Sequence, residues 1–381
     1  MRIFNTLMFI SMLILTSCGN GNQPKEDLLH FDMNGDYPLR KIVLQDYFDI
    51  NYVPLETNET FLVNTNFNIS KEHILSFAAN GDVHIFDRKT GKGILHFNKK
   101  GPGNEDYVHA HTNLIDDDRK EILIFDGAKN EVFVYDFKGE FLRKFHNKGY
   151  LEQVTAHTED GNLIWLDAYP YREAEIDTST YYVVSPIDGK VIHKLPLPLV
   201  KFRPPAFVIP TWGTIVPRAT LNAYTPHGRL LKRFSDDTIY IYRPNGELEP
   251  MAVSTPSVHE TNPPKIFMPL ADIDNAFFAR VLTVSEVNGK PSTDYEDFVY
   301  DKQEKKWYRA IYYNRDLSDE FYVGVLALGD NYSEDIGAKL YDATFLIEYR
   351  EKGVFTGRLN EIASQLKEDD NPVIMTISYK K

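Results

Sequence analysis

The chain has 381 residues, a single cysteine and a formal net charge of −13. An acidic balance of that size repels nucleic acid and anionic lipid, which sets both aside as partners. One cysteine has no partner within the chain, so a packed core rather than disulfides must hold the fold.

Residues 1–17 open with one basic residue, Arg2, run through an apolar stretch from Leu7 to Leu15 and end in Thr16-Ser17. The stretch is shorter than the ~20 residues of a permanent membrane span. Its layout is that of a secretory signal. Leu15-Thr16-Ser17-Cys18 resembles the bacterial lipobox, which predicts cleavage before Cys18 and lipidation of its thiol. An ordinary signal with an incidental cysteine is the alternative. Acyl chains contribute about 0.8 kcal/mol per buried methylene, so several of them would hold the chain firmly to a membrane. Residues 18–36 are expected to form a polar tether, because the GNGNQPKED stretch after Cys18 cannot pack a core. The folded domain is then 37–381. The expected location is the cell envelope, lipid-anchored at the outer membrane, on either its periplasmic or its surface face.

Beyond the tether one shape recurs: a β-branched or aromatic strand, a polar turn and a second strand. The copies are centred on Gly91, Gly139, Gly189, Gly246, Glu304-Lys305 and Gly353, with steps of 48, 50, 57, 58 and 49 residues. Glycine supplies the positive φ that tight hairpins require. Blades of β-propellers are four-stranded units of roughly 40–50 residues. The pattern therefore predicts an all-β, six-bladed β-propeller; a β-sandwich is the competing all-β architecture. Ile122-Leu123-Ile124-Phe125 and Leu163-Ile164-Trp165-Leu166 read as further strands. A short C-terminal helix is expected where Leu359, Ile362, Ala363 and Leu366 fall at helical spacing before Asn371-Pro372. Residues 39–56 and 373–379 are the expected closing strands, since an unpaired sheet edge invites aggregation.

Four stretches carry a family resemblance: Ile50-Asn51-Tyr52-Val53-Pro54-Leu55-Glu56, the loop Lys100-Gly101-Pro102-Gly103-Asn104-Glu105-Asp106-Tyr107, Asp237-Thr238-Ile239-Tyr240 with Gly246-Glu247-Leu248, and Asp370-Asn371-Pro372-Val373. In these the chain resembles the six-bladed β-propeller lipoproteins of Bacteroidetes, similar in shape to TolB-like and NHL-repeat propellers. The resemblance covers nearly the whole mature chain. It implies fold, and little about activity.

Chemistry is harder to read. The Gly101-Pro102-Gly103 loop, with Tyr107, is a candidate backbone nest for an anion or a sugar hydroxyl, or else a structural turn. It lacks the Lys and Ser/Thr of a phosphate loop. The Pro-rich stretch from Leu195 to Pro217 carries Arg203 and Trp212, and Arg218 follows; these are candidates for stacking on a sugar or a peptide. His109 and His111, two apart, would share one strand face, with His84 and His96 as possible neighbours. No third ligand has recognisable spacing, so no metal or other cofactor is expected. Gly-x-Ser-x-Gly is absent. The expected function is a membrane-anchored, non-enzymatic binding or scaffold module for a glycan, peptide or protein partner. The alternative is a metal-assisted hydrolase or lyase working in the central channel.

Overall fold

The computed structural model describes residues 28–63, 66–146, 151–157, 161–167, 179–197, 207–209, 213–215, 220–233, 235–287, 290–318 and 335–380. Two strands open this part of the chain, β1 (Leu29–Asp32) and β2 (Leu39–Val43), followed by one turn of helix, α1 (Leu44–Tyr47), and by β3 (Phe48–Pro54). Three four-stranded antiparallel sheets come next. The first is β4 (Asn66–Ile69), β5 (His73–Phe77), β6 (Asp82–Asp87) and β7 (Gly93–Asn98); the second is β8 (Ala110–Asp116), β9 (Glu121–Asp126), β10 (Glu131–Asp136) and β11 (Phe141–His146). The third is β12 (Leu151–His157), β13 (Leu163–Asp167), β14 (Ser179–Val184) and β15 (Val191–Pro196). A separate hairpin pairs β16 (Phe207–Ile209) with β17 (Gly213–Ile215).

The fourth sheet is β18 (Thr220–Thr225), β19 (Gly228–Arg233), β20 (Thr238–Tyr242) and β21 (Leu248–Thr255), with β1 added in parallel beside β21. The fifth is β22 (Lys265–Ile273), β23 (Ala276–Val287), β24 (Lys290–Asp301) and β25 (Lys306–Tyr313), with β2 added in parallel beside β25. The sixth has the order β26 (Asp335–Tyr341), β27 (Val373–Tyr379), β3, with two helices, α2 (Ala343–Glu351) and α3 (Gly357–Ala363), between its last two strands in sequence. First strands of successive sheets touch: β4 lies against β8, β8 against β12, and β18 against β22.

Sequence pattern explains these placements. Middle strands are covered on both faces by the neighbouring sheets, so they read as continuous apolar runs. Ile122, Leu123, Ile124 and Phe125 of β9 are all buried. At about 1.5–3 kcal/mol per side chain, each such run is a large share of the stabilising term. Outer strand β7 alternates between exposed and covered positions, and β11 mixes them. Gly91, Gly139, Gly189 and Gly246 all take positive φ in the third-to-fourth turns, and Lys305, in the copy without glycine, takes φ 52°.

The two segments expected to close the fold pair with each other over part of their length. β3 pairs antiparallel with β27, from Phe48 opposite Tyr379 to Pro54 opposite Val373. Residues 39–43 do something else: they form β2 on the fifth sheet. Part of the stretch expected as tether, Leu29–Asp32, is strand β1. Phe31 is 1 % exposed, stacks on Phe267 at 4.6 Å and meets Trp307 edge-on at 5.0 Å. The Trp307 indole N–H donates to the His30 carbonyl at 2.7 Å. One aromatic residue gives the polar segment an apolar anchor, and the strand follows.

The sixth predicted hairpin is a helix. Phe345, Leu346 and Ile347 lie in α2, and Gly353, φ 70°, is its left-handed terminator. The Gly353 N–H donates to Arg350 O at 2.9 Å and the Val354 N–H to Tyr349 O at 3.1 Å, which closes the helix end. The C-terminal helix is therefore one of a pair. Leu359, Ile362 and Ala363 are its buried face, and Leu366 lies past its end. Among the described residues no helix is long and apolar enough to cross a membrane.

Candidate functional site

Consecutive antiparallel strands put alternate connections at opposite ends of a sheet. The second-to-third turns and the linkers between sheets share one end; the first-to-second and third-to-fourth turns share the other. Bonds between sheets respect this division.

The glycine-rich loop at the first end is closed on itself. Gly101 N–H donates to Tyr107 O at 3.0 Å, and Tyr107 N–H to Lys99 O at 3.2 Å. Gly103 N–H donates to Asp106 Oδ2 at 2.9 Å. A Cβ at Gly101 or Gly103 would stand 2.6 or 2.5 Å from that oxygen, so both glycines make room for the carboxylate. Lys129 reaches across from the next turn to Gly103 O at 2.8 Å and Asp106 O at 2.6 Å. Tyr107 is fully buried and donates to the Gly81 carbonyl; burial pushes its hydroxyl up to about 12, so it acts as a neutral donor. The chain's own Asp106 thus takes the place an anion would occupy in the nest. Of the other predicted site residues, Cys18, Arg203, Trp212 and Arg218 lie outside the described residues.

Of the four candidate histidines, the described side chains bring His84 and His96 together. His84 and His96 stack ring on ring across β6 and β7 at 4.5 Å. His84 Nε2 pairs with Thr60 O at 3.1 Å, and His96 Nε2 with Asp82 Oδ1 at 3.2 Å. Burial, then the neighbouring His96, holds His84 below the usual imidazole range. His109 is exposed on the linker before β8, and the His111 side chain lies outside the described residues.

Among the described residues one group of three possible metal ligands has its donor atoms within 4.8 Å of one another: Glu72, His73 and Asp117. It sits at the opposite end, where the β4–β5 turn meets the β8–β9 turn. Asp117 accepts hydrogen bonds from His73 Nδ1 at 2.6 Å, the Ser70 hydroxyl at 3.0 Å and the Glu72 N–H at 2.8 Å. The carboxylate can only accept, so Nδ1 carries the hydrogen. Burial raises the Asp117 pKa, but its three donors outweigh burial and leave it below the ordinary value. Lys120 holds Glu72 at 2.9 Å. Each carboxylate already has a partner, so a cation would have to displace bonds that join two sheets.

A second cluster, which the sequence reading missed, lies in the β19–β20 turn. Lys232 is completely buried, donates to the Asp236 carbonyl, and is pushed down to about 8 by desolvation. Arg233 NH1 stands 3.8 Å from Asp236 Oδ2, and burial raises that carboxyl. His259, from the linker after β21, meets Ser235 O at 2.9 Å, and Val258 N–H donates to Asp237 Oδ1 at 2.7 Å. The run Lys232-Arg233-Phe234-Ser235-Asp236-Asp237 was the available signal: four charges flanking a tight turn. Arg233 also marks where the Pro-rich segment leaves and returns. It donates to Leu197 O at 3.4 Å, and Thr220 is its register partner. A lysine pKa near 8 is chemically reactive in principle, but this amine is sealed in and bonded.

At the same end two elements project beyond their sheets. β23 and β24 stay paired out to Val287 opposite Lys290, whereas β22 pairs only to Thr283 and β25 only to Asp297. β16 lies against β24. Tyr295 on this extension is 55 % exposed, and the Arg280 guanidinium stands 5.1 Å from its ring while bound to Asp297. An acidic cleft of about 400 Å³ lies elsewhere, between Leu62-Val63, the start of α2 and the Glu368–Pro372 turn.

A family model described as a domain of unknown function, DUF4934, matches residues 30–378. No curated protein matches the sequence. Among solved structures the chain is similar to a Bacteroides fragilis protein described as exported, at 15 % identity and TM-score 0.60, covering 93 % of this chain and 100 % of that one. It also aligns with a DUF4221-family member from Bacteroides vulgatus, at 10 % identity and TM-score 0.46, over 88 % and 98 % of the two chains. At these identities the first likeness speaks to fold alone.

Proposed function

The chain belongs to the DUF4934 family, whose description assigns no chemistry, and from that premise we propose an extracytoplasmic, lipid-anchored six-bladed β-propeller that binds rather than catalyses. The six sheets of three to five strands among the described residues, the touching first strands and the β3–β27 pairing support the ring. The exported Bacteroides fragilis relative supports the compartment, and Leu15-Thr16-Ser17-Cys18 supports the anchor. Its partner is a glycan, a peptide or another envelope protein.

The observation that carries the binding role is the projecting wall of β23–β24 with β16 against it. Tyr295 stands exposed on a paired strand, held by an arginine that is itself held by Asp297. A rigid aromatic of that kind offers stacking area at low entropic cost. Arg203, Trp212 and Arg218, in or directly after the stretch of sequence that carries the β16–β17 hairpin, lie outside the described residues and are kept as candidate contacts for the partner. The hydrolase or lyase alternative has the Glu72–His73–Asp117 group in its favour, with the difficulty that all three are already bonded.

The test is a panel of envelope glycans and peptides presented to the purified mature protein. Tyr295→Ala and Trp212→Ala should each weaken binding about tenfold, and Lys89→Ala at the opposite end should not. A stoichiometric divalent metal, or a chemically altered panel member, would overturn the reading.

A further inference from the structure

Three neighbouring sheets present the same kind of side chain at the same place. Three residues past the turn glycines Gly91, Gly139 and Gly189, on the outermost strand, stand Ile94, Leu142 and Ile192, 46 %, 45 % and 50 % exposed. Six residues past each glycine, Phe97, Phe145 and Leu195 are buried. The strands are therefore set alike, and the exposed aliphatic is a repeated choice rather than an accident of one sheet. The sheets adjoin: the Gly139 turn packs on Phe97, the Gly189 turn on Phe145, and Arg143 donates to the carbonyls of Pro186 and Ile187. Ile187 is itself exposed. In the fourth and fifth sheets the same position holds Glu249 and Tyr308, and there β1 and β2 cover the outer edge.

The rim is also basic. Residues 87–98, 136–146 and 185–196 hold eight Lys and Arg against four Asp and Glu, in a chain of net charge −13. Arg88 and Arg143 are bonded inward, to Ser70 O and Glu121, and Lys190 pairs with Asp188. Lys89, Lys92, Lys138, Lys190 and Lys194 are exposed. Fields are screened over about 8 Å at physiological ionic strength, so a surface in contact with this rim meets its local sign and not the chain's average.

The chain enters from the same side. β1 runs parallel to β21, with Leu29 opposite Ala252 and Asp32 opposite Thr255, so it is reached from the end nearer the Gly246 turn. The fourth sheet adjoins the third, since His193 Nε2 and the Tyr242 hydroxyl are 3.0 Å apart. Leu28 is exposed where β1 begins. Ten residue steps separate it from Cys18, a reach of at most about 35 Å.

We infer that the rim formed by the third-to-fourth turns and outer strands of the first three sheets is a membrane-contact surface. Its aliphatics enter the headgroup boundary, and its lysines meet anionic headgroups of the bilayer that holds the chain. The tethering half of this argument rests on the lipid anchor proposed above; the surface chemistry does not.

The test uses the chain from residue 19 to 381, which keeps every described residue and has no cysteine to acylate. It is floated with phosphatidylcholine vesicles, with and without phosphatidylglycerol. The unaltered chain should float with the anionic vesicles. The Ile94→Ser/Leu142→Ser/Ile192→Ser variant should bind at least about tenfold more weakly, and Lys89→Glu/Lys138→Glu/Lys190→Glu should lose the preference for phosphatidylglycerol. Thermal melts of both variants should match the parent. Failure of the unaltered chain to float, or equal flotation of the serine variant, overturns the inference. So does self-association without lipid that the serine variant abolishes, because the rim would then be covered by a second copy. Palmitate labelling of the full-length chain and of Cys18→Ser reports on the anchor separately, so the two ideas can fail independently.

Discussion

Asp117 joins two sheets, and removing its carboxylate measures that joint. The side chain is 9 % exposed and gathers three donors from the turn of the preceding sheet. In Asp117→Ala these donors suffer unequally. The Glu72 amide is exposed, so water takes over. The Ser70 hydroxyl still has the His73 carbonyl at 3.2 Å. His73 is only 8 % exposed, and its Nδ1–H is left with nothing. A hydrogen bond to a charged group is worth about 1.5–3 kcal/mol and an orphaned buried donor costs about 1–3 kcal/mol; the two overlap, giving an expected loss of about 3 kcal/mol. Asp117→Asn keeps an acceptor and loses the charge, for about half that cost. Urea unfolding at neutral pH reads both numbers. A stability for Asp117→Ala within about 0.5 kcal/mol of the parent would refute the reasoning.

The same group sets a pH dependence. Burial pushes the carboxyl up, but His73, Glu72 and Ser70 together bring it below its ordinary 3.8. The unfolded chain therefore takes up this proton first as pH falls. The stabilisation is complete above the unfolded value and disappears as pH drops through the folded one. The gap between the parent and Asp117→Asn should be flat above about pH 5 and shrink below about pH 4.

Phe31→Ala should cost about 3–5 kcal/mol in the same assay, because it empties an aromatic cluster; a tether residue would cost nothing measurable. Asn371→Ala should cost about 2–4 kcal/mol, since that buried side chain donates to Glu56 O at 2.6 Å and Phe61 O at 2.7 Å and accepts from Val63 N–H at 3.0 Å. Hydrogen exchange at the Val63 amide should speed up alongside it. Gly353→Ala should cost about 1 kcal/mol by thermal unfolding, all of it backbone strain, because a Cβ there meets nothing within 4 Å.

Where the sequence misled, the reason is physical. Gly353 follows apolar residues and precedes Val354 and Phe355, which is what a hairpin turn looks like. A helix end looks the same, because its terminator also needs positive φ. The pattern that tells them apart is Phe345, Leu346 and Tyr349, spaced one and four apart on one helical face. β1 escaped notice, and β2 was read as part of the closing strand, because their partners are far away, Leu29 opposite Ala252 and Leu39 opposite Arg309. Strands of four and five residues have no local signature strong enough to announce such pairings. The β19–β20 cluster escaped for a related reason: burial, not residue type, makes Lys232 unusual.

The interval that was legible carries more than a count of hairpins. Residues one repeat apart stand side by side in neighbouring sheets. Asn68 donates to Asn113 O at 2.8 Å, 45 positions on, and Glu72 N–H reaches Asp117, again 45 on. Lys120 and Glu72 are 48 apart, Arg143 and Pro186 are 43 apart, and His193 and Tyr242 are 49 apart. These separations, 43 to 49, lie at or just below the 48 to 50 residues between the first turn glycines. A repeat in sequence thus forecasts which polar side chains will meet across a sheet boundary, although it does not say which of them will be charged. Asp117 belongs to a set that could have been written down before any coordinates: acceptors lying one interval past a first-to-second turn. What the interval cannot supply is a ligand, because a stitch between sheets and a site for a guest use the same residue types. The difference lies in whether each donor already has its acceptor, and for Glu72, His73 and Asp117 it does.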